Sequence, residues 1–478
     1  MKLRLGIDVA CRAAHQATLA DHTGTLLWSG RRFRTAAEEL ERLWALLPVG
    51  VDPGQVVVIM EPTRNAWVPL AAWFGAKGAQ VVLVPPEQSA DLRDYYHKHA
   101  KTDRLDSRVL ARLPLLHPEG LRPIDGLGPG EALRRAVRLR ANLVKRRAMA
   151  LQRLDALLEL LGPFWTDVLG TALTKTALVV LERYADPHAL KRLGKTRLTR
   201  LLYRHSRGAW GQDKAQALLD AADQTLALWG EDGLDFVEIA DDIAVEVRLA
   251  QQLALEITAL EERIDALYRQ ADPDQLVASG PGIGPILAAA ILGRLGDAKR
   301  FANLAGVRAF TGLVPAIDQS GTGGRHGGPT KAGDAYLREA LFNAADHARR
   351  VDPTLAARYH RLMTQAGKHH TAALCTIAAV LVTRLAACWR TGQPYQLRDT
   401  DGSPITPEQG RAICTQRYTV PAATRSARRN IRQSSDRKNG TGRRSKESPS
   451  APSTGPSTLT LPGHRPAANT NPPPLDSR

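Results

Sequence analysis

Leu3-Arg4-Leu5-Gly6-Ile7-Asp8-Val9 is an apolar run that carries a carboxylate at its end, and Val56-Val57-Val58-Ile59-Met60-Glu61 repeats the pattern. Both read as strands: the first is mostly apolar, the second continuously so, as expected of a strand buried on both faces of a parallel sheet. Outward from them, residues 15–19 and 25–33 are strand-like, with the turn-like Asp21-His22-Thr23-Gly24 between. Residues 36–47 have helical spacing, 67–74 are helical, 80–84 form another buried strand ended by Pro85-Pro86, and 103–113 are helical again. The order is β β β α β α β and then a helix.

Three meandering strands followed by helix-separated strands is the ribonuclease-H-like order. Parallel sheets place ligand sites at the carboxyl ends of strands, where Asp8 and Glu61 fall. Asp103 and Asp106, in Lys101-Thr102-Asp103-Arg104-Leu105-Asp106, are three apart and share one helix face. Four acids converging from strand ends and a helix suit a divalent-metal site for phosphodiester chemistry, with Mg2+ or Mn2+ as the ion. Taken one at a time, each acid reads more simply as a surface residue or a helix cap; Asp103 could cap its helix and Asp106 could pair with arginines. Actin-like and sugar-kinase folds also begin with a Gly-x-Asp strand, but they need glycine-rich phosphate loops here and a repeated second lobe, and the chain has neither.

The 478 residues carry 65 Lys and Arg against 48 Asp and Glu, a formal charge of +17. With a pI near 10.0, a polyanionic partner is expected, nucleic acid before a membrane surface. The 43% hydrophobic content is that of a globular protein. Cys11, Cys375, Cys388 and Cys414 form no CxxC pair and read as free thiols in a reducing compartment. Arg4, Asp8 and Arg12 break any signal-peptide core. Residues 371–389 are apolar but short for a span and interrupted by Arg384, so they read as a buried helix, and no membrane partner is expected.

Residues 131–161 form a long basic helix. Arg134, Arg135, Arg138, Arg140, Lys145, Arg146, Arg147 and Arg153 lie on it with no acid among them from 134 to 153. Val137, Val144, Leu151 and Leu158 recur every seven, a stripe interrupted by Arg140 and Arg147. A second heptad run covers 243–267, with Ile243, Ala250, Ile257 and Ile264 as one seam and Leu253, Leu260 and Leu267 as the other. It predicts a paired hairpin or a dimer seam, or else one amphipathic helix in its own domain. Residues 162–236 look helical without an evident role.

Ser279-Gly280-Pro281-Gly282-Ile283-Gly284-Pro285 precedes a small-residue helix and resembles a helix-hairpin-helix element, whose glycines let backbone approach a phosphate. A tight helix–helix turn would look the same. Ser320 lies in a glycine-rich loop, Gln319-Ser320-Gly321-Thr322-Gly323-Gly324-Arg325. A serine can attack a phosphodiester where cations stabilise the developing charge, but on residue chemistry alone a solvated loop serine is the plainer reading. His97, His99, His369 and His370 lack partners at ligand spacing.

Together these motifs resemble the DEDD-type transposases of the insertion-sequence 110/1111 family, recombinases that work with a structured bridge RNA. The likeness runs through Gly6-Ile7-Asp8-Val9, Met60-Glu61-Pro62-Thr63, Val84-Pro85-Pro86-Glu87-Gln88 and Lys101-Thr102-Asp103-Arg104-Leu105-Asp106-Ser107. It continues in Gly280-Pro281-Gly282-Ile283-Gly284, Gly312-Leu313-Val314-Pro315, Gln319-Ser320-Gly321, Thr330-Lys331-Ala332-Gly333 and Leu337-Arg338. The resemblance implies that Asp8, Glu61, Asp103 and Asp106 bind metal in a RuvC-like domain, and that Ser320 forms a covalent phosphoserine link to DNA. It further implies a guide RNA that selects donor and target DNA, and a dimer-to-tetramer homo-oligomer with acids and serine from different protomers. Cys11 stands where many relatives have lysine, and Ser107 where alanine is usual.

The expected organisation is a RuvC-like domain over 1–125, a helical and coiled-coil region over 126–270, a mainly helical transposase domain over 271–400 and a basic disordered tail over 401–478. The expected function is a DNA recombinase that mobilises an insertion element in the prokaryotic cytoplasm, at the nucleoid. Arg134, Arg135, Arg138, Arg140, Lys145, Arg146, Arg147, Arg325, Lys331 and Arg338 are expected to hold nucleic acid. Two rivals are a hydrolytic resolvase-like nuclease using the acids alone and a non-catalytic nucleic-acid-binding protein.

Overall fold

Gly6 decides how the first domain closes. In the computed structural model, which describes residues 2–84, 89, 103–116, 122–123, 129–230, 233–320, 323–331 and 333–428, the chain begins with β1 (Leu3–Asp8), β2 (His15–Ala20), β3 (Leu26–Phe33), α1 (Ala37–Trp44), β4 (Val56–Met60), α2 (Trp67–Ala76), β5 (Gln80–Leu83), α3 (Asp103–Leu116) and the short β6 (Arg122–Pro123). The six strands form one sheet in the order β3-β2-β1-β4-β5-β6. β1 pairs antiparallel with β2 and parallel with β4, Ile7 opposite Met60, and β4 pairs parallel with β5. One face, with Leu3, Leu5, Ile7, Ala17 and Leu19, packs on Leu40 and Leu43 of α1 and Leu70 and Phe74 of α2. The other receives α3: Val57, Ile59, Val82 and Val84 pack on Leu110 and Leu113. All five residues of β4 are buried, which is why its sequence does not alternate.

The middle of the chain is built on two long helices. α4 (Pro129–Leu161) is followed by α5 (Pro163–Leu169), α6 (Lys175–Tyr184), α7 (Pro187–His205), α8 (Gln212–Trp229) and α9 (Phe236–Ala271). Arg140 pairs with Glu261 and Arg153 with Glu246, so α4 and α9 lie antiparallel within one chain. The two long helices thus lie side by side as an antiparallel pair, with Ile243, Ala250, Ile257 and Ile264 of the second heptad run buried and Val144 of the first left exposed. Residues 162–229 are the helices α5–α8, which gather with both long helices around Trp165, Leu181, Leu202 and Leu218. The indole N–H of Trp165 donates to Thr225 Oγ1, which donates to the Leu161 carbonyl, so the buried polar atoms are satisfied.

The carboxy-terminal part contains α10 (Pro285–Leu295), α11 (Leu304–Thr311), the ribbon β7 (Pro315–Ser320) and β8 (Gly323–Pro329), then α12 (Ala335–Ala348), α13 (Pro353–Thr364), α14 (His370–Thr391) and α15 (Pro407–Tyr418). α14 is long and apolar enough to cross a membrane, but Leu374, Ile377, Leu381 and Leu385 sit in a core with Leu337 and Leu341 of α12. Arg384 is accommodated because Asp352 and the Tyr395 hydroxyl meet it at 3.2 and 2.7 Å. Gly280 and Gly282 are taken up by packing: a side chain on Gly280 would strike Ile283 and Leu385, and one on Gly282 the backbone of His347.

Two expectations are corrected. Ser320 does not stand in a loop: it ends β7 and is paired with Gly323 across the ribbon. The tail does not begin at 401. α15 has a complete capping box between Thr406 and Gln409 and Pro407 at its first position, and Cys414 and Val420 are buried. Those capping interactions, with Gly410 seated against the Val351 carbonyl, outweigh a polar composition. Residues 85–88, Lys101, Thr102, Gly321, Ala332 and 429–478 lie outside the described residues, as do the side chains of Asp103, Ser320 and Arg325.

Candidate active site

Asp8 is the last residue of β1, and Glu61 directly follows Met60, the last paired residue of β4. Because β1 and β4 are parallel neighbours, the two acids stand side by side at one sheet edge. Alternation along the strands places Asp8 on the face of Gly6 and Glu61 on the face of Val57 and Ile59, the face that α3 covers.

α3 brings its first turn to that edge. A side chain on Gly6 would lie 2.3 Å from the Ser107 carbonyl oxygen and 2.4 Å from the Ala111 nitrogen, so helix and strand meet backbone to backbone. Arg112, toward the helix end, donates to the carbonyl of Gly24 in the turn joining β2 to β3, at the end of β1 opposite Asp8. The helix therefore runs antiparallel to β1, and its amino-terminal turn, with Asp103 and Asp106, reaches the carboxyl ends of β1 and β4. Asp106, Leu110 and Leu113 fall on one stripe, and Leu110 and Leu113 of that stripe pack over β4 and β5.

A polar seam holds this arrangement. Ser107 Oγ is buried within 2.8 Å of Thr18 Oγ1 and donates to the Arg104 carbonyl. Arg108 Nε donates to Ser29 Oγ at 2.7 Å, and Thr18 and Ser29 share a bond across β2 and β3. The serine at 107 is thus a buried hydrogen-bonding group rather than a neutral stand-in for alanine. Ser89 Oγ donates to Glu61 Oε2 at 2.6 Å. Sequence reasoning missed Ser89; its place one residue past the Pro85–Gln88 motif was the available signal. Beyond Asp8, the Ala10 N–H donates to His15 Nδ1 at 3.1 Å, and His15 Nε2 lies 2.7 Å from Thr35 Oγ1. Burial holds the His15 imidazole below its usual range, so its neutral form accepts from Ala10 and ties down the segment after the first acid.

Carboxylates are hard oxygen donors suited to Mg2+ or Mn2+. Among the described residues, no three Asp, Glu, His or Cys side chains are close enough to hold one ion; the Asp103 side chain is outside that set.

The second candidate group belongs to another core. Ser320 ends β7, Arg325 is opposite Asp318 in the ribbon, and Lys331 is exposed with φ 58 just after β8. Arg338 donates to the carbonyls of Gly333 and Thr311, closing the end of α11. Of the basic residues on α4, Arg140 is engaged with Glu261, Arg134 lies over the Trp67 ring and Arg138 over Tyr336. Arg135, Lys145 and Arg146 are exposed, and Arg147 is half-buried with its Nε enclosed. Arg134 bridges to α2 of the sheet domain, and the Tyr336 hydroxyl donates to Asn142, so α4 touches both candidate groups' domains.

Residues 5–163 match a family described as transposase, the DEDD transposases of IS110, and residues 274–360 match the transposase family of IS116, IS110 and IS902. The chain is 29% identical over 348 residues to an uncharacterized 43.6 kDa protein of insertion element IS110 from Streptomyces coelicolor, covering 72% of this chain and 84% of that one. It is 27% identical over 417 residues to an uncharacterized 44.8 kDa protein of insertion element IS116 from Streptomyces clavuligerus, covering 85% and 98%. A 42 kDa protein of insertion element IS900 from Mycobacterium paratuberculosis is 25% identical over 394 residues. The chain, with its acids at one sheet edge and its serine ribbon in the second matched segment, belongs to the IS110 family of DEDD transposases.

Proposed function

We propose that this transposase mobilises its insertion element by forming a phosphoserine link between Ser320 and DNA, with Asp8, Glu61, Asp103 and Asp106 holding Mg2+ or Mn2+ in a RuvC-like domain. The observation that carries the reading is the meeting of β1, β4 and the first turn of α3, which brings the acid-bearing positions to one edge. A bound divalent ion would supply charge neutralisation at the phosphate. The serine oxygen forms a bond to phosphorus while one bridging sugar oxygen leaves with a proton. Attack by the hydroxyl of the incoming strand reverses the step and releases the serine, so strands are exchanged without net hydrolysis. Ser89 orients Glu61, and His15 steadies the chain beyond Asp8.

The acids stand on the sheet domain's α3-covered face, whereas Leu313, just before the ribbon, belongs to the carboxy-terminal helical core, which supports a composite site with acids from one protomer and serine from another, in a dimer or tetramer. The exposed Arg135, Lys145 and Arg146 on α4 suit the backbone of a structured guide RNA or of DNA. Such a complex would act in the cytoplasm at the nucleoid. Transposase membership sets aside the non-catalytic rival. Ser320→Ala separates the remaining two readings: denaturing gels of a cleavage reaction on element-end DNA should lose the covalent protein–DNA adduct and strand exchange together. A variant that still cuts at the wild-type rate would establish the hydrolytic nuclease instead.

A further inference from the structure

A cleft of about 810 Å3 opens among α12, α13, α14 and α15, away from both candidate groups of the active site. Its wall carries Arg349, Arg350, Arg425 and Arg428 against the single carboxylate of Asp346. Asp346 meets both Arg349 and Arg350 at 2.5 Å, whereas Arg425 and Arg428 have no carboxylate partner among the described residues. Arg349 is held in place over the Tyr359 ring at 4.4 Å. The amino terminus of α14 also faces the cleft through His369, His370 and Thr371; His369 Nδ1 caps it by accepting from the Ala372 N–H, and the helix's earliest N–H groups have no partner within it. Four guanidinium groups and a helix amino terminus form a site for an anion with several oxygens.

Its size narrows the ligand. A cube of that volume is about 9 Å on edge, and a B-DNA duplex is wider than its own roughly 12 Å major groove, so a duplex does not enter. One or two unstacked nucleotides do. Tyr418, half-buried on the wall and 6.3 Å from the His360 ring, offers an aromatic face beside the arginines. Aromatic and cationic groups side by side are what single strands use, base on ring and phosphate on cation.

We propose that this cleft binds an unpaired nucleotide of single-stranded nucleic acid, with Arg425 and Arg428 on its phosphates and Tyr418 against its base. The inference rests on the nucleic-acid function proposed above and adds a site that does no chemistry. The shared chemistry is a nucleotide phosphate, which single-stranded DNA or an unpaired RNA loop would present.

The test measures binding of full-length protein to fluorescent (dT)10 and (rU)10 by anisotropy across a salt series, for wild type, Arg425→Ala with Arg428→Ala, Tyr418→Ala and Tyr418→Phe. Two lost phosphate contacts flatten the slope of log affinity against log salt by about 1.4, an affinity loss on the order of 25-fold at 0.1 M salt. Tyr418→Ala should cost at least about fivefold and Tyr418→Phe little, because stacking needs the ring and not the hydroxyl. The oligonucleotide whose binding falls more identifies the occupant. Arg425→Gln with Arg428→Gln replaces the alanine pair if that pair lowers Tm. Wild-type affinity and slope in the arginine variants for both strands overturn the cleft assignment. Absence of binding to any nucleic acid by the wild type would overturn the proposed function itself.

Discussion

Gly6→Ala tests whether the acid geometry depends on the close seating of α3 on β1. The added methyl would stand 2.3 Å from the Ser107 carbonyl oxygen, 2.4 Å from the Ala111 nitrogen and 3.0 Å from the Ala111 Cα. Ordinary contacts begin near 3.5 Å, so helix and strand must separate by about 1 Å. All three obstacles are backbone atoms of a helix, which cannot swing aside as a side chain does. Overpacking of this kind costs about 1–3 kcal/mol, more than the roughly 0.4–1 kcal/mol that alanine returns by restricting the unfolded chain. Asp106 rides on the same helix beside Ser107, so it moves relative to Asp8 by a similar amount. A misplacement of about 1 Å in a catalytic group costs on the order of 10²-fold in rate. The assay is cleavage of element-end DNA at saturating Mg2+, with Tm measured in parallel. Ala111→Gly added to Gly6→Ala should not rescue, because the clash is with the nitrogen and Cα of Ala111. Gly75→Ala, inside α2 with open space around it, is the control and should keep the wild-type cleavage rate with Tm unchanged or slightly raised. A Gly6→Ala protein with wild-type cleavage rate and Tm would refute the reasoning.

Three other outcomes are expected. Arg140→Glu should lower Tm, since it sets a second carboxylate against Glu261, whereas Lys145→Glu with Arg146→Glu should leave Tm alone and reduce the salt slope of duplex binding by about 2; the reverse pattern in melting and anisotropy would contradict this assignment. Because burial lowers the folded-state pKa of His15, the unfolded chain takes up a proton that the folded chain resists: His15's contribution is complete above about pH 6.5 and declines as pH falls through that unfolded-state value. His15→Gln should therefore show a flatter fall of Tm between pH 8 and 5, and equal slopes in the two proteins would count against it. Asp352 is 1% exposed and accepts from Tyr395, Arg384, Thr354 and Leu355, so Asp352→Ala removes the α13 cap and the buried acceptor of Tyr395 and should cost about 1–3 kcal/mol in urea unfolding. A cost under about 1 kcal/mol would show that water replaces the aspartate.

Much of the first domain was legible because its signals are local. An uninterrupted apolar run such as 56–60 suits few environments other than a strand covered on both faces, and strand ends are where an unneeded carboxylate stands out. The stretch 162–236 read as helical, as it is over 163–229, but how it packs was not legible because its four helices draw their core from one another and from both long helices. Ser320 was read as loop for a related reason. Glycine-rich segments have weak strand preference, and the ribbon exists through cross-strand pairing between Pro315–Ser320 and Gly323–Pro329. The region after 400 was misread because composition is averaged over a window, while a capping box depends on two residues, Thr406 and Gln409.

The sequence by itself determined the order of the elements, the four acids and the serine as candidates, and the basic character and helical period of α4. These depend on period, charge and short motifs, which each segment carries alone. Only the tertiary structure decided that α3 runs against β1 with its first turn beside Asp8 and Glu61. It also decided that Arg140 answers Glu261, and that four arginines from distant segments line one cleft. Such relations depend on which surfaces meet when the loops close, and no local pattern contains that. Gly6 joins the two levels: in the sequence it is one residue of a strand, and in the fold its missing side chain is the space in which helix and strand meet.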